Sequence, residues 1–168
     1  MMKVEGKVAY ITGGSKGIGF GVAKSLIEHG VHVAVTSRSQ DAADQAARQL
    51  NTYGDAEAIG IASDVRVAEQ ENEAVQKCLK KFGKIDMLFA NAGLGHFGSI
   101  EELSHEQWNE VIDTNLNGVF NSIKAGVEAL KESKGYFVTL ASLAGTNFFE
   151  GGSAYNASKF GLVGFTQA

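Results

Sequence analysis

The chain has 168 residues, 44% of them hydrophobic and 20% charged, with a formal net charge of -4. That balance fits one folded domain with a real core and excludes a disordered polyelectrolyte, and the negative charge offers no broad positive field to nucleic acid. No apolar run approaches the roughly 20 residues of a membrane span, the first residues lack the apolar stretch of a signal peptide, and a single cysteine excludes an internal disulfide, so a cytoplasmic protein is expected.

Taken in chain order, Val8 to Ile11 is a short apolar run that ends in glycines. Ile18, Val22 and Leu26 then recur at helical spacing as far as Gly30, which predicts strand, turn and helix. The unit repeats as Val31 to Val35 with a helix over Gln40 to Leu50, then Ala58 to Ala62 with a helix over Val67 to Phe82 that carries Cys78 as a packing residue. Ile85 to Phe89 is the fourth strand. The helix after it opens at Ser104, where Ser104 and Gln107 have the spacing of a capping box, and is expected to run to about Leu130. Tyr136 to Leu140 predicts a fifth strand, and Ser153 to Ala168 another helix. Strands that alternate regularly with helices imply a doubly wound parallel sheet covered on both faces, a three-layer Rossmann-type α/β domain over residues 1–168. The 21 glycines, set against no proline, mark the ends of these segments and form no repeat.

Gly13, Gly17 and Gly19 stand directly after a strand and open a helix, with Ser15, Lys16 and Ile18 between them. Such glycines let the backbone turn tightly and approach a pyrophosphate, while the helix N-terminus presents free amides, so a dinucleotide is the expected ligand. A Walker-type loop is excluded because no Gly-Lys-Ser/Thr closes the motif. At the end of the second strand, where an acid would bind the adenosine ribose, the chain has Thr36-Ser37-Arg38-Ser39. A guanidinium there, with Lys16 nearby, favours a 2′-phosphate, and hence NADP(H) over NAD(H). The bland alternative is a pair of solvated surface charges.

Tyr155 and Lys159 lie at i and i+4 of one helix and therefore share a face. A nearby ammonium stabilises a phenolate, so Tyr155 is expected to exchange a proton with a substrate oxygen, and Ser142, after the fifth strand, can donate to the same oxygen. On their own these residues also fit a helix-surface pair and a turn serine. His96, Phe97, Phe148 and Phe149 are candidates for the substrate pocket, with plain loop packing as their alternative. Trp108 reads as a packing residue, and no metal-ligand spacing surrounds His96.

These motifs together resemble the short-chain dehydrogenase/reductase family, over nearly the whole chain. Thr12-Gly13-x-x-x-Gly17-x-Gly19 resembles its cofactor loop, Ser63-Asp64-Val65 its adenine contact and Asn91-Ala92-Gly93 its central-strand turn. Asn115, Ser142, Tyr155 and Lys159 match its catalytic four. The resemblance implies that Asp64 and Val65 hold the adenine, that Tyr155 and Lys159 also touch the cofactor, with Lys159 on the nicotinamide ribose, and that Asn115 holds a water in a proton relay. It further implies an NADP(H)-dependent carbonyl reductase or alcohol dehydrogenase, with 3-oxoacyl thioesters among the substrates of similar sequences. A homodimer or homotetramer is implied, built on the long helix from Ser104 and the final helix. Ala90 departs from the asparagine that many members carry before Asn91. Members also continue through a sixth and a seventh strand, so the resemblance implies that a C-terminal part is missing here. A catalytically silent NADP(H)-binding regulatory or scaffolding module is the alternative from another class, and a sugar-nucleotide epimerase is a third reading, disfavoured by Arg38.

Overall fold

The computed structural model describes residues 4–168. Five parallel strands form one sheet in the order β3-β2-β1-β4-β5. They are β1 (Val8–Ile11), β2 (His32–Ser37), β3 (Ala58–Ala62), β4 (Met87–Ala90) and β5 (Tyr136–Thr139). The helices are α1 (Gly17–Glu28), α2 (Gln40–Leu50), α3 (Ala68–Phe82), α4 (His105–Ile112), α5 (Gly118–Ser133) and α6 (Ser153–Gln167). Strand order reverses between β1 and β4, and their carboxyl ends define the crevice in which such sheets bind ligands.

Alternation along each strand feeds two separate cores. Val8, Tyr10, Ala34, Ile61 and Leu88 face one side, where they meet Ala74, Val75 and Cys78 of α3 and Val119, Ile123 and Leu130 of α5. Ala9, Ile11, Val33, Val35 and Met87 face the other, against Ala23 and Ile27 of α1 and Ala46, Ala47 and Leu50 of α2. A strand buried on both faces must be apolar at every position, which is why β1 reads as an unbroken run. β5 sits at the sheet edge, and Tyr136, Phe137 and Val138 are partly open to solvent.

The capping box at Ser104 is present in full, with Ser104 Oγ accepting from the Gln107 amide at 3.2 Å and Gln107 Oε1 accepting from the Ser104 amide at 3.0 Å. The uninterrupted helix expected from there to about Leu130 is corrected. α4 and α5 are joined through a π-helical turn over Asp113–Asn117, and α5 continues to Ser133. A π turn adds one residue to the helical repeat, so the faces presented after it are shifted relative to those before it. Asn115 lies within this turn.

One carboxylate is buried in the first core. Glu71 of α3 is fully buried, accepts from Ser63 Oγ at 2.5 Å and from Tyr10 Oη at 3.3 Å, and has no partner for Oε2 among the described residues. Burial raises its pKa above the ordinary 4.5. Burial, and then the neighbouring Glu71 charge, also raise that of Tyr10. For an acid whose folded pKa is raised, stability is fully present below the unfolded value and is lost as pH rises through the folded one. Glu71→Gln keeps an acceptor for Ser63 without a charge to desolvate. The variant is expected to match the wild type near pH 4 and to exceed it by about 1 kcal/mol at pH 7–8, as read by urea denaturation at the two pH values. Equal stability at both would show that Glu71 carries no desolvation cost.

Candidate active site

The β1–α1 turn and the end of β4 are laced together. Thr12 Oγ1 accepts from the amides of Asn91 at 3.0 Å and Ala92 at 3.1 Å, and Asn91 Nδ2 donates to the carbonyls of Thr12 at 2.8 Å and Gly13 at 3.1 Å. These bonds bring the glycine loop against Asn91-Ala92-Gly93, which the sequence separates by almost half the chain. Gly13 has φ +62, and a Cβ on it would lie 2.9 Å from Ala92 Cα. Gly17 has φ +59 and open space where a Cβ would stand. α1 begins with no side-chain cap, so the amides of its first turn are left to another acceptor.

An open cleft of about 540 Å³ lies above this turn. Gly13, Ser15, Lys16, Gly17, Ile18, Ser37, Arg38, Asp64, Val65, Asn91, Ala92 and Gly93, all singled out from the sequence, line it. Gly19 lies behind that wall, where an added Cβ would be 2.5 Å from Asn91 Nδ2. Arg66, Leu94, Thr114 and Leu140 line the cleft as well and were not anticipated. Arg66 had a readable signal, as a cation two residues past Asp64 at the end of a strand. It grips Asp64 through Nε at 2.9 Å and 3.0 Å and through Nη2 at 2.6 Å, and that hydrogen bonding lowers the Asp64 pKa. Asn121 of α5 supports the same loop by donating to the Val65 carbonyl at 2.9 Å. A glycine cradle, uncapped helix amides and the cations Lys16, Arg38 and Arg66 suit the diphosphate and adenosine parts of a nicotinamide dinucleotide.

Helix α6 carries Tyr155 and Lys159, which reach the cleft only through Leu140 of its wall; Asn115, Ser142, Tyr155 and Lys159 are not themselves among the residues that line it. Lys159 is buried, which lowers its pKa; its Nζ donates to the Leu140 carbonyl at 2.7 Å and lies 5.6 Å from the centre of the Tyr155 ring. Ser142 begins the turn after β5 and its Oγ accepts from the Ala144 amide at 3.1 Å. Asn115 is fully buried, and its amide is spent on the protein: Oδ1 accepts from the Leu94 amide at 2.9 Å, while Nδ2 donates to the Leu94 carbonyl at 2.8 Å and to Ser158 Oγ at 3.1 Å. Asn115 thereby ties the π turn to the β4 loop and to α6.

Phe97 and Phe149 both stand by Tyr155, with ring centres 5.7 Å and 6.4 Å from it and 5.8 Å from each other. Phe148 points out to solvent. His96 bonds Glu110 instead of facing the three rings. Cys78 lies in the core, where burial pushes its thiol up to about 12 and keeps it out of nucleophilic chemistry. Among the described residues no group of three His, Cys, Asp or Glu side chains gathers to hold a metal, and no helix is long and apolar enough to cross a membrane.

The sequence profile of the short chain dehydrogenases matches residues 7–168. The chain belongs to the short-chain dehydrogenase family. Among curated members it is 35% identical over 163 residues to the 3-oxoacyl-[acyl-carrier-protein] reductase FabG of Chlamydia muridarum, covering 96% of this chain and 66% of that protein. It is 33% identical over 168 residues to FabG of Escherichia coli K12, covering 99% and 67%. The chain thus spans about two thirds of the length of these relatives. Among solved structures of the family, an alcohol dehydrogenase from Thermococcus sibiricus complexed with 5-hydroxy-NADP superposes with a TM-score of 0.92 at 35% identity, over 96% of this chain and 68% of that one. A short-chain dehydrogenase/reductase from Burkholderia phymatum in complex with NAD superposes at 0.94 and 31%, over 99% and 60%. Members of this dehydrogenase family with either dinucleotide therefore share this fold.

Proposed function

We propose that this short-chain dehydrogenase is an NADP(H)-dependent oxidoreductase that interconverts a carbonyl and a secondary alcohol, with a 3-oxoacyl thioester as the leading substrate class. The observation that carries the reading is the contact of α6 with the cleft wall: Lys159 Nζ donates to the carbonyl of the cleft residue Leu140, which supports a reacting Tyr155–Lys159 pair beside the cleft. Support for the substrate class comes from the FabG relatives, and support for NADP(H) from Arg38 and Lys16 in the cleft wall.

Bound in this cleft, the nicotinamide would supply the hydride that adds to the carbonyl carbon. Tyr155 gives its phenolic proton to the oxygen that gains the electron pair, and in the reverse direction the phenolate takes that proton back. Lys159 stabilises the phenolate, and its lowered pKa eases return of a proton to Tyr155. Ser142 donates to the same oxygen from the β5 side, so that two donors meet the developing charge. The Asn115 side chain is committed to Leu94 and Ser158 and holds the π turn in place, so the structure offers no support for a relay water on that side chain. Phe97 and Phe149, though exposed, offer an apolar surface beside Tyr155 against which a substrate chain can lie. A homodimer or homotetramer on the outer faces of α5 and α6 accords with exposed Phe120 and Phe160 on those helices.

The test is a fluorescence titration with NADPH and NADH, followed by assay with 3-oxoacyl thioesters and simple ketones. NADPH is expected to bind at least about tenfold more tightly, the worth of one charge-assisted phosphate site. Equal affinities would remove the NADP(H) assignment, and binding without turnover of any carbonyl would remove the enzyme reading.

A further inference from the structure

Two guanidiniums and one carboxylate meet at the edge of the cleft where β2 and β3 end. Glu110 of α4 places Oε1 3.8 Å from Arg38 Nη1 and 3.6 Å from Arg66 Nη1. Its other oxygen, Oε2, accepts from His96 Nε2 at 2.8 Å, which fixes the carboxylate's direction. Both arginine separations exceed hydrogen-bond length, so the two cations are drawn to Glu110 without surrendering those N–H groups to it. Arg66 spends Nε and Nη2 on Asp64 and keeps Nη1 for this cluster, and the Arg38 side chain is 67% exposed. The four charges of Arg38, Arg66, Asp64 and Glu110 cancel.

We propose that Glu110 is a specificity-determining counter-ion that competes with a ribose 2′-phosphate for Arg38 and Arg66 and so sets how strongly the cleft prefers the phosphorylated dinucleotide. The proposal rests on the NADP(H) reading above. A phosphate monoester brings a charge of about -1.5 to -2 and three acceptor oxygens, and a planar guanidinium takes it in two parallel bonds. The single carboxylate oxygen Oε1 lies within 4 Å of both guanidiniums, so an arriving phosphate meets Glu110 as a like charge and must displace or tolerate it. An unphosphorylated ribose brings no such conflict. Glu110 therefore weakens one ligand and leaves the other unaffected, which makes it a selectivity element and not a general binding residue. Arg66 is the second cation of the site, and it joins the phosphate position to Asp64 on the adenine side.

The experiment is calorimetric binding of 2′,5′-ADP and of 5′-AMP, which isolates the adenosine end from catalysis, to the wild type and to Glu110→Gln. The variant is expected to bind 2′,5′-ADP about fivefold more tightly, the size of one exposed charge pair, with 5′-AMP changed by less than about twofold. In an Arg38→Gln background the same substitution is expected to give less than about half of that gain. Glu110→Ser removes the charge with different packing and is expected to show the same selective gain, so a folding defect peculiar to the glutamine variant leaves the question answerable. Unchanged or weaker 2′,5′-ADP binding in both variants, or equal tightening of both probes, would overturn the role of Glu110. A wild type that binds the two probes equally, with a gain still seen on removing Glu110, would refute the NADP(H) reading and leave the counter-ion standing.

Discussion

Tyr155→Phe is expected to lower kcat by about 10³-fold or more while NADPH affinity stays within about twofold of wild type. Removing a positioned proton donor costs roughly 10² to 10⁴ in rate, and the hydroxyl that the proposed mechanism uses as that donor is not part of the cleft wall lined by Lys16, Arg38 and Asp64. The ring itself remains, so its contacts with Phe97 and Phe149 and the packing of α6 are retained. Steady-state turnover of a 3-oxoacyl thioester, followed by NADPH absorbance, measures the first quantity, and fluorescence titration the second. Wild-type turnover in the variant would remove Tyr155 from the proton transfer. A parallel loss of NADPH binding would instead show that the phenol is needed to build the site.

The second large effect is expected at Gly13. Gly13→Ala meets two costs at once. The residue has φ +62, a left-handed conformation that an L side chain adopts at about 1 kcal/mol, and its new Cβ would stand 2.9 Å from the Ala92 backbone, where no flexible group can yield. Forcing a methyl into packed backbone adds about 1–3 kcal/mol, so a total loss of about 2–4 kcal/mol is expected. The bonds of Asn91 to Thr12 and Gly13 would strain with it, and NADPH affinity is expected to fall by more than about tenfold. Gly17→Ala is the matched comparison, since Gly17 has a similar φ but nothing within 4 Å of a Cβ, and only the conformational cost of about 1 kcal/mol applies. Denaturant unfolding of the two variants separates these outcomes. Equal losses would show that the Ala92 contact contributes nothing.

The two glycines also show where reading from sequence stops. Their place after a strand and before a helix marks a candidate phosphate loop, because local conformational demand is written in local residue types. That Gly13 closes on Ala92, whereas Gly17 opens to the cleft, depends on β1 and β4 lying side by side, which neither segment records. Helix α2 was legible to the residue, because its apolar spacing and its polar boundaries are local. The helix from Ser104 was legible at its start, where a capping box is a four-residue pattern, and not at Asn115, where the π turn answers to long-range bonds with Leu94 and Ser158. The buried Glu71 was equally unreadable. In its own helix it looks like one more surface acid, and only the approach of Tyr10 and Ser63 reveals a carboxylate inside the core.

The alternation of strands and helices, the glycine loop after β1 and the Tyr155–Lys159 spacing are legible along the chain, since each depends on residues only a few positions apart. Tertiary structure alone decided which of those residues share a cleft, that Arg66 and Glu110 join Arg38 at its edge, and that Asn115 is spent on holding the fold together. The physical reason is that hydrogen bonds and ion pairs act over a few ångströms, and residues that far apart in space can be any distance apart along the chain.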